Sequence, residues 1–241
     1  MAGRARLLCP TASVRSESHA EVPDGAFPEK MAENVYRLGF NSASSYGAHS
    51  FLIRKDSGNA MVDAPRFTRA VTAKLEEWGG LAHILLTHRD DIADAERYAK
   101  HFGSRVWIHK ADRSAARFAT DILEGSAPSK IDDDVLAIPV PGHTKGSVVY
   151  LYKRCLFTGD SLAWDFETED LDAHEDYCWY SWSEQLKSLN RLLDYPFEWV
   201  LAGHGGSKGL PASEMAARLD ALLAQKTKRL GKGRISPSRS P

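Results

Sequence analysis

The chain has 241 residues, 43% of them hydrophobic, with 31 basic and 32 acidic residues and a formal net charge of −1. That is enough apolar material for one well-buried core, and the balanced charge supplies no field that would steer the chain to nucleic acid or an anionic membrane. No run approaches the ~18 apolar residues of a membrane-spanning helix, and the cysteines Cys9, Cys155 and Cys178 are few and widely spaced, which argues against a disulfide framework and for a reducing compartment.

Residues 1–30 read as a disordered or targeting segment. Arg4, Arg6 and Arg15 lie among several serines, with no acid before Glu17, a composition that suits an organelle transit peptide as well as a disordered start. The expected location is the cytoplasm, or a plastid or mitochondrion if residues 1–20 are such a peptide. Residues 35–40, 49–54 and 60–62 then read as short strands separated by Gly- and Ser-containing turns. Asp63 closes the last of them. Residues 68–78 space Val71, Leu75 and Trp78 at helical intervals, and Gly79-Gly80 ends the run.

A strand is predicted over 83–86, a helix over 94–102 ended by Gly103, a strand over 105–109 and a helix over 111–118. Such alternation argues for an α/β layered domain. Residues 121–134 are polar and acidic and read as a connecting loop holding at most one short strand. Residues 135–140 form the next strand, and residues 148–152 and 155–157 form a hairpin around Lys153-Arg154. A helix over 183–193, a strand over 199–201 and a helix over 212–223 complete the domain, assigned to residues 31–225. From Lys226 to Pro241 the chain is basic and Gly-rich, and a disordered tail is expected.

Four apolar runs end by presenting an imidazole or a carboxylate: Thr87-His88-Arg89-Asp90-Asp91, Pro141-Gly142-His143-Thr144, Thr158-Gly159-Asp160 and Gly203-His204-Gly205. Donors delivered by separate strand ends can assemble a metal centre. In this order the four pieces closely resemble the metallo-β-lactamase superfamily over roughly residues 33–210. The resemblance implies a four-layer αββα sandwich. It also implies a divalent metal site in which His88 and His143 serve one position, Asp160 bridges and His204 serves a second.

The chain departs from the family at the first motif, which there reads His-x-His-x-Asp-His. Asp90 stands where the second His is expected, and Ile92 and Ala93, which cannot bind metal, stand at the last two ligand positions. Some phototroph and bacterial members carry a His-x-Asp-Asp-x-x-Asp-His variant, which this chain resembles except that Ala95 replaces the final His. Asp90 is therefore expected to complete the metal set His88, Asp90, His143, Asp160 and His204. Its oxygen donor shifts preference from zinc toward iron. One or two ions are expected.

Asp91 and Asp94, three residues apart, share a helix face; they read either as catalytic or ligand carboxylates or as acids favoured at a helix start. Asp63 reads either as a carboxylate that orients ligands or as a cap for the helix that follows. His49, His83, His101, His109 and His174 have no ligand-like context. Residues 164–182 interleave acidic residues with Phe166, Tyr177, Trp179 and Tyr180. They are expected to lie over the cleft, either as an apolar wall flanked by carboxylates that repel anions or as a solvated loop pinned by its aromatics.

The implied activity is hydrolysis of a small ester, thioester or phosphoester through metal-activated water. An iron-containing oxidoreductase of the same fold, or a non-catalytic binding domain with a degenerate site, stands as the alternative. A small-molecule substrate is expected, with no nucleic-acid or membrane partner.

Overall fold

The computed structural model describes residues 27–41 and 47–233. Most of the expected targeting segment, including the suspected transit peptide, and the end of the basic tail lie outside the described residues. Ordered structure starts within the segment assigned to 1–30, because β1 (Glu29–Ala32) already pairs with β2 (Val35–Phe40).

The first sheet continues through β3 (His49–Ile53), β4 (Ala60–Val62), β5 (His83–Leu85), β6 (Arg105–His109) and β7 (Asp121–Leu123), its strands side by side in chain order. The pairs up to β3–β4 are antiparallel and those from β4–β5 onward parallel. The switch follows from the connections, since α1 (Arg69–Glu77) separates β4 from β5 and α2 (Ala95–Phe102) separates β5 from β6. The second sheet holds β8 (Ser129–Lys130), β9 (Val135–Pro139), β10 (Val148–Tyr152), β11 (Cys155–Gly159), β14 (Trp199–Ala202) and β15 (Lys208–Gly209), in the order β15-β14-β11-β10-β9-β8. A separate hairpin joins β12 (Ala163–Asp165) to β13 (Asp170–Asp172), and the helices α3 (Trp182–Arg191) and α4 (Ala212–Gly233) complete the chain.

Strand alternation builds the layers. Phe51 and Ile53 of β3, with Val62 and Leu85, meet Ala137, Val148, Tyr150, Phe157 and Leu201 of the second sheet in one buried cluster. The residues between them, Leu52, Met61 and Ile84, face the other way and pack with Leu75 of α1 and Tyr98 of α2. On the far side, Ile138, Val149 and Leu156 pack under Leu186 and Leu189 of α3 and Met215 and Leu219 of α4. The result is the αββα sandwich expected from the resemblance. Phe51 and Phe157 meet edge-on across the inter-sheet gap with centroids 5.6 Å apart, and burial of each ring contributes about 2–3 kcal/mol. No helix among the described residues is long and apolar enough to cross a membrane.

Several elements differ from the sequence reading. Residues 111–118 are not a helix: only a 3-10 turn, Lys110–Asp112, forms, because the Asp112 side chain is drawn inward and buried. The expected loop over 121–134 holds two strands, β7 and β8. Residues 164–182 contain the β12–β13 hairpin rather than one irregular loop. Helix α4 runs on to Gly233, past the start of the expected tail, and Lys226 pairs with Asp172 at 2.6 Å.

Candidate metal centre

His88, Asp90 and Asp91 follow β5 across the first sheet's end, His143 follows β9, Asp160 follows β11 and His204 follows β14. The two sheets are locked together at this end. The Val148 N–H donates to the Thr87 carbonyl over 2.8 Å, and the buried Tyr150 hydroxyl donates to the Leu86 carbonyl over 2.9 Å. Ligand loops from both sheets therefore open onto one space.

In that space His88 Nε2 lies 3.5 Å from Asp160 Oδ2 and 3.7 Å from Asp91 Oδ2. His143 Nε2 lies 3.7 Å from Asp160 Oδ2 and 3.7 Å from Asp90 Oδ2. His204 Nδ1 is 2.9 Å from Asp160 Oδ1 and 3.9 Å from Asp91 Oδ2. Two groups have one donor atom from each member within 4.8 Å of one another: His88, Asp90 and His143, and His88, Asp91 and Asp160. Of the residues predicted as ligands or catalytic carboxylates, Asp94 does not join this space. Its carboxylate accepts from the Phe67 N–H at 2.8 Å and pairs with Arg97 at 3.4 Å, at the start of α2.

The donor atoms fit a cation. His88 Nε2, His143 Nε2 and Asp91 Oδ2 are buried without a hydrogen-bond partner, and orphaned polar atoms carry a desolvation cost of about 1–3 kcal/mol each unless something outside the chain satisfies them. Both imidazoles are also held in the tautomer a metal needs. The His143 Nδ1–H donates to the Tyr177 carbonyl over 2.7 Å, which leaves the Nε2 lone pair facing the site. Thr87 gives its hydroxyl proton to Asp63 Oδ2 over 2.8 Å, so at 2.9 Å its Oγ1 accepts from the His88 Nδ1–H. His88 Nε2 is thereby left as a lone-pair donor too.

Asp63 is thus a carboxylate behind a ligand and caps no helix. It also accepts the Thr87 N–H over 2.9 Å, and it sits in the left-handed region at φ +52°, a conformation that costs a non-glycine residue about 1 kcal/mol or more and is found where a site demands it. Gly159 makes room for the same arrangement: at φ +50°, a Cβ here would stand 2.6 Å from Thr87 Oγ1.

The charges are strongly coupled. Burial alone would raise Asp160, but His88, His204 and His143 outweigh it and hold the carboxyl well below its usual range. Burial, reinforced by the Asp160 charge, pushes Asp91 well up, and the Asn41 amide, donating at 3.0 Å to its other oxygen, only partly offsets this. Burial lowers His88. For His143 burial acts in the same direction, but Asp90, Asp160 and the Tyr177 carbonyl overcome it and raise the imidazole. Asp63 is pushed up to about 7 by burial against its bonds to Thr87. A cation here would replace the protons that these anions otherwise compete for.

Two features escaped the sequence. Asp112 is fully buried, and its Oδ2 accepts both the Arg89 N–H at 3.1 Å and the Thr144 hydroxyl at 2.6 Å. It ties the loop of His88 to the loop of His143. The signal was a lone acid among apolar and basic residues, but its partners lie too far away in the chain to be paired by spacing. His49, which sequence context dismissed, is buried against Phe40 with ring centroids 4.7 Å apart, and its backbone N–H donates to the Gly203 carbonyl over 2.8 Å. It supports the His204 loop from beneath.

Comparison with known proteins agrees with this architecture. The family model described as the metallo-beta-lactamase superfamily matches residues 92–204. A hydroxyacylglutathione hydrolase from Acidiphilium cryptum is 32% identical over 118 residues, covering 47% of this chain and 49% of that protein. The chain spans about half or less of the length of the hydroxyacylglutathione hydrolases it matches. The uncharacterized protein YobT of Bacillus subtilis is 24% identical over 218 residues, 76% of this chain and 93% of that one. The crystal structure of VMB-1 shares the fold with a TM-score of 0.62 at 17% identity, covering 83% of this chain and 96% of VMB-1. The chain is thus similar in sequence to the metallo-β-lactamase superfamily over residues 92–204 and shares the fold of solved metallo-β-lactamases over most of its length.

Proposed function

We propose that the chain is a metal-dependent hydrolase of a small thioester or ester. The observation that carries the reading is the convergence of the unpartnered atoms His88 Nε2, His143 Nε2 and Asp91 Oδ2 around Asp160. Buried donors of this kind serve no packing purpose, which disfavours a non-catalytic scaffold. His88, His143, Asp90, Asp91, Asp160 and His204 would hold one or two divalent ions. The partial matches to hydroxyacylglutathione hydrolases, whose name denotes thioester cleavage, support this substrate class over a phosphoester.

A divalent metal held here would lower the pKa of a water bound to it toward ~7 and so would supply hydroxide at neutral pH. The protein's own contribution is orientation. Tyr177 and Thr87 fix the two imidazoles from behind, Asp63 fixes Thr87, and Asn41 fixes Asp91 through its Oδ1. Asp91 takes the role first considered for it together with Asp94, as a carboxylate facing the reacting space; Asp94 is committed to Phe67 and α2. The carboxylate share of the donor set is high, which favours iron or manganese beside zinc more than an all-imidazole site does.

The test is reconstitution of chelated protein with zinc, iron or manganese in turn, followed by assay against matched thioester, ester and phosphodiester substrates. Metal-restored thioester or ester hydrolysis that His88→Ala abolishes is expected. Binding of metal without hydrolysis of any substrate in the series would overturn the enzyme assignment.

A further inference from the structure

The large hydrophobic side chains exposed among the described residues are Phe166, Tyr177, Trp179 and Tyr180, at 57%, 44%, 61% and 48% exposure, and all four fall in the short segment between β12 and α3. Scattered apolar residues on a surface mean little, but these four lie in one segment. That segment is fastened to the metal loops from both sides.

On one side the segment straps the His143 loop. The Trp179 N–H donates to the His143 carbonyl over 2.9 Å, the Ser181 N–H donates to the Gly142 carbonyl over 3.0 Å, and the Trp179 ring lies 6.4 Å from the His143 ring. On the other side Trp164 and Gly206 exchange backbone hydrogen bonds of 3.0 and 2.9 Å, and the Phe166 ring covers Gly206, where a Cβ would stand 2.5 Å from it. Gly206 follows His204 by two positions. The hairpin is held from behind, with Arg218 pairing with Asp170 at 3.0 Å and Lys226 with Asp172 at 2.6 Å.

These last contacts correct one expectation. Asp170 and Asp172 are committed to α4, so they do not serve as an anion-repelling screen over the cleft. Exposed acids remain beside the aromatics, Glu167, Glu169, Glu175 and Asp176, with the exposed cations Arg89 and Lys145 on the ligand loops. What the segment offers a ligand over and above these charges is its exposed aromatic area.

The geometry points to this aromatic rim as the binding surface for the non-reacting part of the substrate, an apolar acyl or aryl group, with Trp179 and Phe166 its principal contacts. The inference rests on the hydrolase reading of the same site. An aromatic surface held rigid by its backbone presents large contact area without ordering cost on binding. A compact or highly polar substrate would leave it bare. A glutathione thioester is thus predicted to be a poorer substrate than a small apolar one.

The test compares wild type with Trp179→Ala and Phe166→Ala. Substitution at Trp179 keeps the backbone donor to His143, and metal content with near-ultraviolet circular dichroism verifies that each variant is folded and loaded. Kinetics are read on acetyl and phenylacetyl thioesters of one small neutral thiol and on a hydroxyacylglutathione thioester. Separately, ligand-observed NMR reads the affinity of N-butyl phenylacetamide, which is not hydrolysed. The expected result is a phenylacetyl-to-acetyl ratio of kcat/KM that falls about ten-fold in Trp179→Ala, with amide affinity falling by a similar factor. An unchanged ratio and an unchanged amide affinity overturn the inference. If neither these thioesters nor the matched esters are turned over, the hydrolase reading fails, and the amide arm alone decides the rim. If Trp179→Ala abolishes a concentration-dependent dimer in sedimentation while amide affinity stays the same, the patch joins two copies of the chain and the inference is wrong.

Discussion

The Thr144 hydroxyl donates to Oδ2 of Asp112 over 2.6 Å, and the same oxygen accepts the Arg89 N–H. One buried carboxylate therefore fixes the spacing between a loop of the first sheet and a loop of the second. Gly146 packs so closely on it that a Cβ would stand 2.5 Å from Asp112 Cγ. Asp112→Asn keeps the shape but turns one acceptor into a donor group, whereas Asp112→Ala removes both bonds. Because supporting groups of this kind typically contribute 10–100-fold to metal affinity, the alanine variant should lose about that factor in chelator competition and the asparagine variant less. Equal affinity in all three proteins would show that the clamp does not position the ligands.

Gly159→Ala tests the packing behind His88. The residue has φ +50°, and its new methyl group would meet Thr87 Oγ1 at 2.6 Å, the atom that holds both Asp63 and His88. Backbone strain and collision together should lower unfolding stability by roughly 1–3 kcal/mol. The urea midpoint measures this. Weakened metal binding should accompany it, and a destabilised variant with wild-type metal affinity would mean that Thr87 does not set the His88 tautomer.

His49 supplies a pH dependence. Burial, with Arg37 and His204 adding to it, lowers its imidazole to about 3 from the usual 6.5. The unfolded chain therefore takes up a proton below about 6.5 while the folded chain does not. Stability from neutral His49 is fully present above 6.5 and is lost as pH falls from there toward 3, at up to about 1.4 kcal/mol per pH unit. Urea unfolding of chelated wild type and His49→Gln between pH 7 and 4 should show a flatter profile in the variant. Parallel profiles would mean that His49 titrates normally in the folded state.

Much of this was legible in the sequence, and the rest failed for identifiable reasons. The alternation Phe51, Leu52, Ile53 states which sides of β3 are buried, and the glycines at 142, 159 and 203 mark where donors leave their strands. Asp63 was ambiguous because a carboxylate before a helix serves capping and ligand support equally well; its bonds to Thr87, 24 positions away, decide the matter. Asp112 was invisible for the same reason, since its partners lie 23 and 32 positions away. Its surroundings read as a helix because they are rich in helix formers, yet burial of one carboxylate outweighs that propensity. Strands β12 and β13 span three residues each, too short for a period to show. Asp94 stands at the start of α2, but its side chain makes no cap bond there and instead accepts the N–H of Phe67, a partner 27 positions away that spacing does not reveal.

The most direct test of the account is metal stoichiometry in His88→Ala, His143→Ala and Asp160→Ala, each reconstituted under identical conditions beside wild type and Asp94→Ala. These three side chains bring together His88 Nε2, His143 Nε2 and Asp160 Oδ2 within 3.5–3.7 Å of one another's nearest partner, and removing any one leaves too few donors to hold an ion tightly. Bound metal should fall sharply in all three and stay at the wild-type level in Asp94→Ala. Wild-type stoichiometry in all three variants would contradict the assignment of this cluster as a metal centre.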